Sequence, residues 1–235
     1  MKKRTLILIA TYNEAENIEA VLRATLGLKG NFDVLVVDDN SPDGTGEIVK
    51  RIAGKTKRVK LISRTGPKGR GLASIEAYKY FYASNYDYIC ELDADFQEDP
   101  NDVIKLVKEA EKGNYDIVLG SRYVAGGGFE SNKKWLSLFV NSVIMTMFNT
   151  KIKDPTCWFH VVKRDVFDVV PINRLRSKGF FLASELHFLA EKAGLKIKEL
   201  PYFFPERKEG KTKISIGVSS DFAKEAIRFW LSRKR

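Results

Sequence analysis

The stretch ICELDADFQEDP, residues 89–100, places two carboxylates, Asp93 and Asp95, and the Gln97 amide just beyond an apolar run, Tyr88–Leu92. Two residues apart in extended backbone, Asp93 and Asp95 project to the same side. With Gln97 they form an all-oxygen donor set, which suits Mg2+ or Mn2+ better than zinc. Such an ion takes one or two protein carboxylates and completes its shell with water and substrate phosphates. The competing reading is a turn and helix cap. Asp99, immediately before Pro100, fills the capping role, and Asp93 and Asp95 stand too early for it.

A second acidic pair, Asp38 and Asp39, ends the run VLVVDDNSPDGTG. The segment RTGPKGRGLA (64–73) sets Arg64, Lys68 and Arg70 among glycines just before a helix. Backbone amides, a helix N-terminus and cations together suit a phosphate, and a solvated basic turn is the alternative. The spacing matches neither the P-loop nor the dinucleotide fingerprint. His160 reads as a strand side chain and His187 as a helix-face residue, without metal partners at a recognisable spacing. Cys90 and Cys157 also lack metal-like spacing, and so low a cysteine content suits a reducing compartment.

Strand-like runs at Leu6–Ala10, Phe32–Val37, Val59–Ser63, Tyr88–Leu92 and Asp116–Gly120 must position these groups. They alternate with helix-like runs at Ala15–Leu26, Thr45–Ala53 and Leu72–Ser84, and with a helix opened by Asp99 and Pro100 and closed by Gly113. Near-continuous apolar strands between helices predict an α/β fold, a mostly parallel sheet with helices on both faces. Ligands bind such sheets at the carboxyl ends of the strands, so Asp38, Asp39, Asp93 and Asp95 should share one crevice. The second half is less regular. It holds a glycine loop (Ala125–Gly128), an apolar helix near Trp135–Phe148, a strand at Trp158–Lys163 and a helix around Ser184–Ala193. The basic segment ERKEGKTK follows, then an amphipathic C-terminal helix (220–235) capped by Asp221, with Phe222, Ala226, Ile227 and Trp230 along one side. No repeat or linker divides the chain, which reads as a single domain, 1–235.

The chain has 235 residues, with 40 Lys and Arg against 30 Asp and Glu, a net charge of +10. That surface favours anionic partners such as a nucleotide, a phospholipid or nucleic acid. No recognised nucleic-acid motif is present, which argues against the last. The opening MKKRTLILIATYNE is too short in its apolar part for a signal peptide or a span. No run elsewhere reaches about 18 uninterrupted apolar residues, so the chain is expected at most to lie on a membrane.

The ordered motifs ATYNEAENI, VVDDNSPDGT, GPKGRGLASI, LDADFQEDP and GSRYVAGGG, followed by KKWLSLFVN, DPTCWFHVVKRD, SKGFFLASELHFLA and FPERKEGKTK, carry a resemblance. Over almost all of residues 5–215 the sequence resembles the dolichol-phosphate mannosyltransferases, inverting family-2 glycosyltransferases of GT-A fold. The resemblance implies nucleotide-sugar contacts at Ala10, Tyr12, Glu14, Val37 and Asp39. It implies a Mg2+ or Mn2+ site at Asp93, Asp95 and Gln97, which also meets the donor diphosphate. Arg207 and Lys213 would neutralise the leaving diphosphate, and Arg122, Lys133 and Ser137 would hold the acceptor phosphate. Asp95, Arg122, Arg207 and Lys213 are the expected catalytic set.

The activity so implied is metal-dependent, inverting transfer of mannose from GDP-mannose to dolichyl or polyprenyl phosphate. Another donor such as UDP-glucose, or a non-catalytic nucleotide-binding subunit, is the alternative. The expected setting is the cytoplasmic face of a membrane, with peripheral contact and a small membrane subunit as a candidate partner. A lipid monophosphate is already largely dianionic near neutral pH (second pKa roughly 6) and needs positioning more than deprotonation. Asp154 and Glu185 stand either as bases or as structural residues. Three positions depart from the family pattern: Ala10 where proline is usual, His160 where arginine is common, and Leu138 where a second arginine often sits. These departures leave the donor sugar and acceptor details open.

Overall fold

The computed structural model describes residues 3–130, 134–205 and 216–232, with the side chains of 134–136 and 216–219 left aside. Chain order begins β1 (Thr5–Thr11), α1 (Ile18–Leu26), β2 (Phe32–Asp38), α2 (Thr45–Ala53), β3 (Val59–Ser63), α3 (Arg70–Tyr82) and β4 (Tyr88–Glu91). Next come α4 (Pro100–Gly113), β5 (Ile117–Ser121), β6 (Gly128–Phe129), α5 (Lys134–Phe148), β7 (His160–Lys163) and α6 (Val166–Val169). A 3-10 turn (Ile172–Arg174), α7 (Leu182–Lys192), β8 (Ile197–Pro201), β9 (Phe203–Phe204) and α8 (Ile216–Ser232) complete it.

The main sheet runs β3-β2-β1-β4-β7-β5-β8, and a small second sheet pairs β6 with β9. Every pairing is parallel except those of β7, which runs antiparallel to β4 and β5. The mostly parallel α/β fold expected from the strand pattern is therefore present. Strands β1, β2 and β3 step outward in one direction, and the chain then returns to place β4 on the other side of β1. Right-handed crossovers place helices on opposite faces when the direction reverses, and the reversal opens a crevice between the carboxyl ends of β1 and β4. Register sharpens it: Leu8 of β1 sits opposite Glu91, the last residue of β4, so β1 runs on past its neighbour.

The strands bury Leu6, Ile7, Leu8 and Ile9 beside Val34, Leu35, Val36 and Val37, all fully enclosed. A second apolar cluster of Ile144, Phe148, Phe181, Phe188 and Ala226 joins α5, α7 and α8. Its centre is the stacked pair Phe148 and Phe188, with ring centroids 4.3 Å apart.

Several predicted ends shift. β4 stops at Glu91 and Leu92–Gln97 turns, with Phe96 at φ 58°, so Asp93 and Asp95 are not brought together by strand alternation. Asn114, not Gly113, takes the left-handed position that closes α4, and its N–H reaches the Ala110 carbonyl. Asp99 caps α4 as expected, accepting from the Asn101 N–H at 2.8 Å. Helix α3 starts two residues early, at Arg70, which puts Arg70 in its first turn. Helix α1 starts late, at Ile18, and β7 late, at His160. Helix α8 begins at Ile216, so Asp221 is an interior residue paired with Lys224 at 3.2 Å and does not cap it. Ile227 also departs from the expected stripe: it is 53% exposed, whereas Phe222 and Trp230 pack on the second cluster.

Candidate functional site

A cavity of about 960 Å³ opens at the crevice between β1 and β4. Ala10, Tyr12 and Glu14 from the end of β1, Asp39 beyond β2, and Asp93, Asp95 and Gln97 beyond β4 all line it. Arg122, after β5, lines it as well. Of the predicted residues among those described, Val37 and Ser137 are not on its lining, and the Val37 side chain is wholly within the sheet core. Asp38 also leaves the crevice. Its carboxylate accepts from the hydroxyl of Thr11 (2.8 Å) and from the backbone and hydroxyl of Ser41 (2.9 and 2.5 Å), stapling the β1 and β2 ends together. Ser137 touches the Tyr123 hydroxyl at 2.5 Å. Lys133, Arg207 and Lys213 lie outside the described residues.

The basic loop 64–73 is exposed over residues 65–68, while its charged side chains and the Gly69 amide are tied to the cavity lining. Arg64 pairs with Asp39, whose second oxygen accepts the Gly69 N–H at 2.8 Å. Lys68 donates to the Tyr12 hydroxyl at 2.6 Å, and Arg70 to Asp93 at 3.0 Å. The loop thus fixes three of the groups that line the cavity.

Sequence reading missed Glu91, which is fully buried at the end of an apolar strand. Its carboxylate accepts from Ser74 at 3.0 Å and from the Tyr78 hydroxyl, and it lies 3.2 Å from Arg70 and 3.5 Å from His160. Burial alone would protonate Glu91, but the Arg70 charge and the His160 and Tyr78 contacts outweigh it and lower its pKa. Arg70 is then clamped between Glu91 and Asp93 with its guanidinium 4.6 Å over the Trp158 ring. His160 meets His187 at 3.0 Å, and His187 meets the Pro155 carbonyl at 2.9 Å. No single-sequence signal pairs these histidines, because strand and helix meet only through the fold.

Asp95 is buried and accepts the Gln97 N–H at 3.1 Å, while Asp93 is about one-third exposed, 35%. The Gln97 amide nitrogen donates to the Pro205 carbonyl at 3.2 Å, which leaves its oxygen as the end able to meet a cation. Glu98 is buried behind them. Its pKa is pushed well up, by burial first and then by the Asp93 and Asp95 charges. Two carboxylates with an amide oxygen beside them fit a hard divalent ion. Among the described residues, no group of three or more His, Cys, Asp or Glu side chains could hold a metal unaided. A cation here would take its remaining ligands from water or substrate.

Arg122 faces this acidic end from the far wall. Its Nε and Nη2 donate to Asp154 at 2.7 and 2.6 Å, its backbone N–H to the same carboxylate at 3.0 Å, and Nη2 also to Thr156 at 2.7 Å. Burial works against the charge, but the Asp154 contacts outweigh it and raise the Arg122 pKa. The rings of Tyr123, Phe129 and Phe204 surround the guanidinium. Asp154 is completely enclosed by this duty. Glu185, also buried, accepts the backbone N–H groups of Arg176 (3.0 Å) and Ser177 (2.8 Å). Both carboxylates are held by these hydrogen bonds, and neither is on the cavity lining.

The same cavity runs on between two helices. Phe139, Val140, Val143, Ile144 and Met147 of α5 face Phe222, Ala223, Ala226 and Ile227 of α8 across it, with Trp158 and Phe180 toward the polar end. Phe139 is 64% exposed and Val143 47%, so this wall also reaches the surface. Among the described residues, no helix is long and apolar enough to cross a membrane.

The glycosyl transferase family 2 profile matches residues 6–170. An undecaprenyl-phosphate mannosyltransferase of Micrococcus luteus is 30% identical over 234 residues, covering 98% of this chain and 96% of its own. A polyprenol monophosphomannose synthase of Mycolicibacterium smegmatis is 32% identical, over 91% of this chain and 82% of its own. A dolichol-phosphate mannosyltransferase of Pyrococcus furiosus is 35% identical over 88% of this chain, which spans 58% of that protein. Among solved structures, glucosyl-3-phosphoglycerate synthase of Mycobacterium tuberculosis, in complex with Mn2+, UDP and glucosyl-3-phosphoglycerate, superposes with a TM-score of 0.73. That likeness covers 98% of this chain and 80% of the other at 16% identity, and it concerns the fold. By profile, relatives and fold together, the chain is a glycosyltransferase and belongs to glycosyl transferase family 2.

Proposed function

We propose that the protein transfers mannose, with inversion, from GDP-mannose to the phosphate of dolichol or a related polyprenol, with Mg2+ or Mn2+ bound. One observation carries this reading: a single cavity joins Asp93, Asp95 and Arg122 to the apolar groove between α5 and α8. A water-soluble phosphate acceptor has no use for such a wall. A polyprenyl chain gains about 0.8 kcal/mol for each buried methylene. The relatives named for undecaprenyl-, polyprenol- and dolichol-phosphate substrates support the same acceptor class.

In this reading Ala10, Tyr12, Glu14 and Asp39 hold the nucleoside end of the donor, with Val37 contributing only backbone. Asp93, Asp95 and Gln97 would hold the cation, which supplies charge neutralisation at the diphosphate when bound. Arg207 and Lys213 would neutralise the same leaving group. Arg122, fixed by Asp154 and Thr156, orients the acceptor phosphate with Ser137 and Lys133. An acceptor phosphate oxygen attacks the anomeric carbon from the side opposite the diphosphate. The bond to the diphosphate breaks, and its electron pair leaves with the nucleotide. No base is needed for a dianionic acceptor (second pKa about 6), which agrees with the structural duties of Asp154 and Glu185. In this reading the enzyme works peripherally at the cytoplasmic face of a membrane, and the exposed apolar side chains of Phe139 and Val143 support contact with lipid.

The test is a panel of nucleotide sugars with polyprenyl phosphate or 3-phosphoglycerate as acceptor, in Mn2+, followed by organic extraction. The expected result is mannose from GDP-mannose in the lipid phase, lost with chelator and lost in Asp95→Ala at unchanged Tm. Preference for UDP-glucose would overturn the donor assignment. Transfer to the soluble acceptor alone would overturn the lipid assignment.

A further inference from the structure

Helix α8 is linked to the start of α3 through the backbone at Lys178 and Gly179. Glu225 Oε1 accepts the backbone N–H groups of Lys178 (2.7 Å) and Gly179 (3.1 Å). The Lys178 carbonyl, which shares a peptide plane with the Gly179 N–H, accepts the N–H of Leu72 at 3.1 Å. Leu72 lies in the first turn of α3, where amides have no partner within the helix, so this bond satisfies one of them. The two backbones touch closely. A Cβ on Gly69 would stand 2.5 Å from the Lys178 carbonyl oxygen, and one on Gly71 2.7 Å from that of Gly179. Glycine at both positions permits the contact.

The first turn of α3 in turn carries two cavity carboxylates. The Gly69 N–H donates to Asp39 at 2.8 Å, and Arg70 pairs with Asp93 at 3.0 Å. We propose that Glu225 is a positioning residue for the nucleotide-sugar site, acting through the Lys178–Gly179 peptide on the first turn of α3. The proposal rests on reading that end of the cavity as the donor site. An acceptor at its N–H end fixes the orientation of the Lys178–Gly179 peptide, so that its carbonyl is held toward the Leu72 N–H. The helix bearing Glu225 also walls the apolar groove through Ala223, Ala226 and Ile227. The two halves of the site therefore share a mechanical link. Only one carboxylate oxygen serves the link. Among the described residues the buried Glu225 Oε2 has no hydrogen-bond partner, so an amide carbonyl should replace the carboxylate adequately.

The experiment compares Glu225→Ala with Glu225→Gln in the full chain. Hydrogen exchange of the backbone at 69–73, without ligand, should quicken in Glu225→Ala and stay at the wild-type rate in Glu225→Gln. In parallel, GDP and UDP are titrated with Mn2+. Glu225→Ala should weaken the nucleotide that wild type binds by about five-fold, the size of a hydrogen-bond loss partly transmitted. Glu225→Gln should bind it normally. Should Glu225→Ala fold poorly, Gly179→Ala replaces it, since its Cβ would press the Glu225 carboxylate at 3.2 Å. Lowered Tm with unchanged exchange at 69–73 would overturn the proposal, because Glu225 would then merely hold α8. Quickened exchange with unchanged nucleotide affinity would overturn its functional half. A wild type that binds neither nucleotide would overturn the donor reading, with the exchange result still deciding the link.

Discussion

Glu91, His160 and His187 form a polar thread through the interior, with Arg70 and Asp93 at one end and Pro155 at the other. Burial, and next the His160 neighbour, lower the His187 pKa from 6.5 to about 3, so its ring is neutral at ordinary pH. Its Nδ1 faces a carbonyl and must carry the proton, so its Nε2 accepts from His160 Nδ1–H. A histidine whose proton affinity falls on folding makes the unfolded chain bind more protons between about pH 3 and 6.5, so stability rises with pH there. Across that window the slope from one such group reaches about 1.4 kcal/mol per pH unit. Urea unfolding at pH 7, 6 and 5 should therefore show a steeper loss of stability in wild type than in His187→Gln, and equal slopes would contradict the assignment. At this scale the sequence reveals Asp93, Asp95 and Gln97, whose residue types at a strand end are unusual unless they bind something. Glu91 and the histidines escape it, since a carboxylate in an apolar strand shows its purpose only when Arg70 and Tyr78 arrive from another element.

Helices α5 and α8 show what an amphipathic pattern can and cannot convey. The expected amphipathic C-terminal helix is present, described over Ile216–Ser232, and Phe222, Phe229 and Trp230 pack inward on the cluster of Phe181 and Phe148. The face assignment shifts because the inner stripe is chosen by the aromatic cluster on α5 and α7. Ile227 and Leu231 are left 53% and 54% exposed, on the protein that also exposes Phe139 and Val143 of α5. Paired Glu replacements at Ile227 and Leu231 should lower co-sedimentation with anionic vesicles by about tenfold or more, since each apolar side chain contributes on the order of 1.5 kcal/mol when buried in lipid. Nucleotide affinity should not change. Unaltered sedimentation would mean that these residues face water in use. The strands of the first half were legible because fully buried strands are continuous apolar runs, as at Leu6–Ile9 and Val34–Val37. Element ends were less so. Turn residues such as Phe96 and Asn114, at positive φ, end elements for reasons of local geometry that residue type signals weakly.

Over the whole molecule, reversal of strand order between β1 and β4 assembles the acidic end, and the aromatic packing of α5 against α8 assembles the apolar end. The first follows from the general rule for open α/β sheets and could be anticipated from the strand pattern. The second could not, because residues 139–147 and 222–227 meet only after folding, and each segment alone reads as an ordinary amphipathic helix. Their joining in one cavity is the central claim, and Val143 tests it most directly. It lines the groove and is 47% exposed, so Val143→Asp charges the wall at little cost to the fold. The measurement is kcat/KM for a long-chain polyprenyl phosphate and for a short-chain, water-soluble isoprenyl phosphate, in wild type and Val143→Asp. The account predicts a fall of about tenfold or more for the long chain, with the short-chain value and donor affinity held near wild type. Equal losses for both acceptors, or none for either, would contradict a groove that holds the lipid.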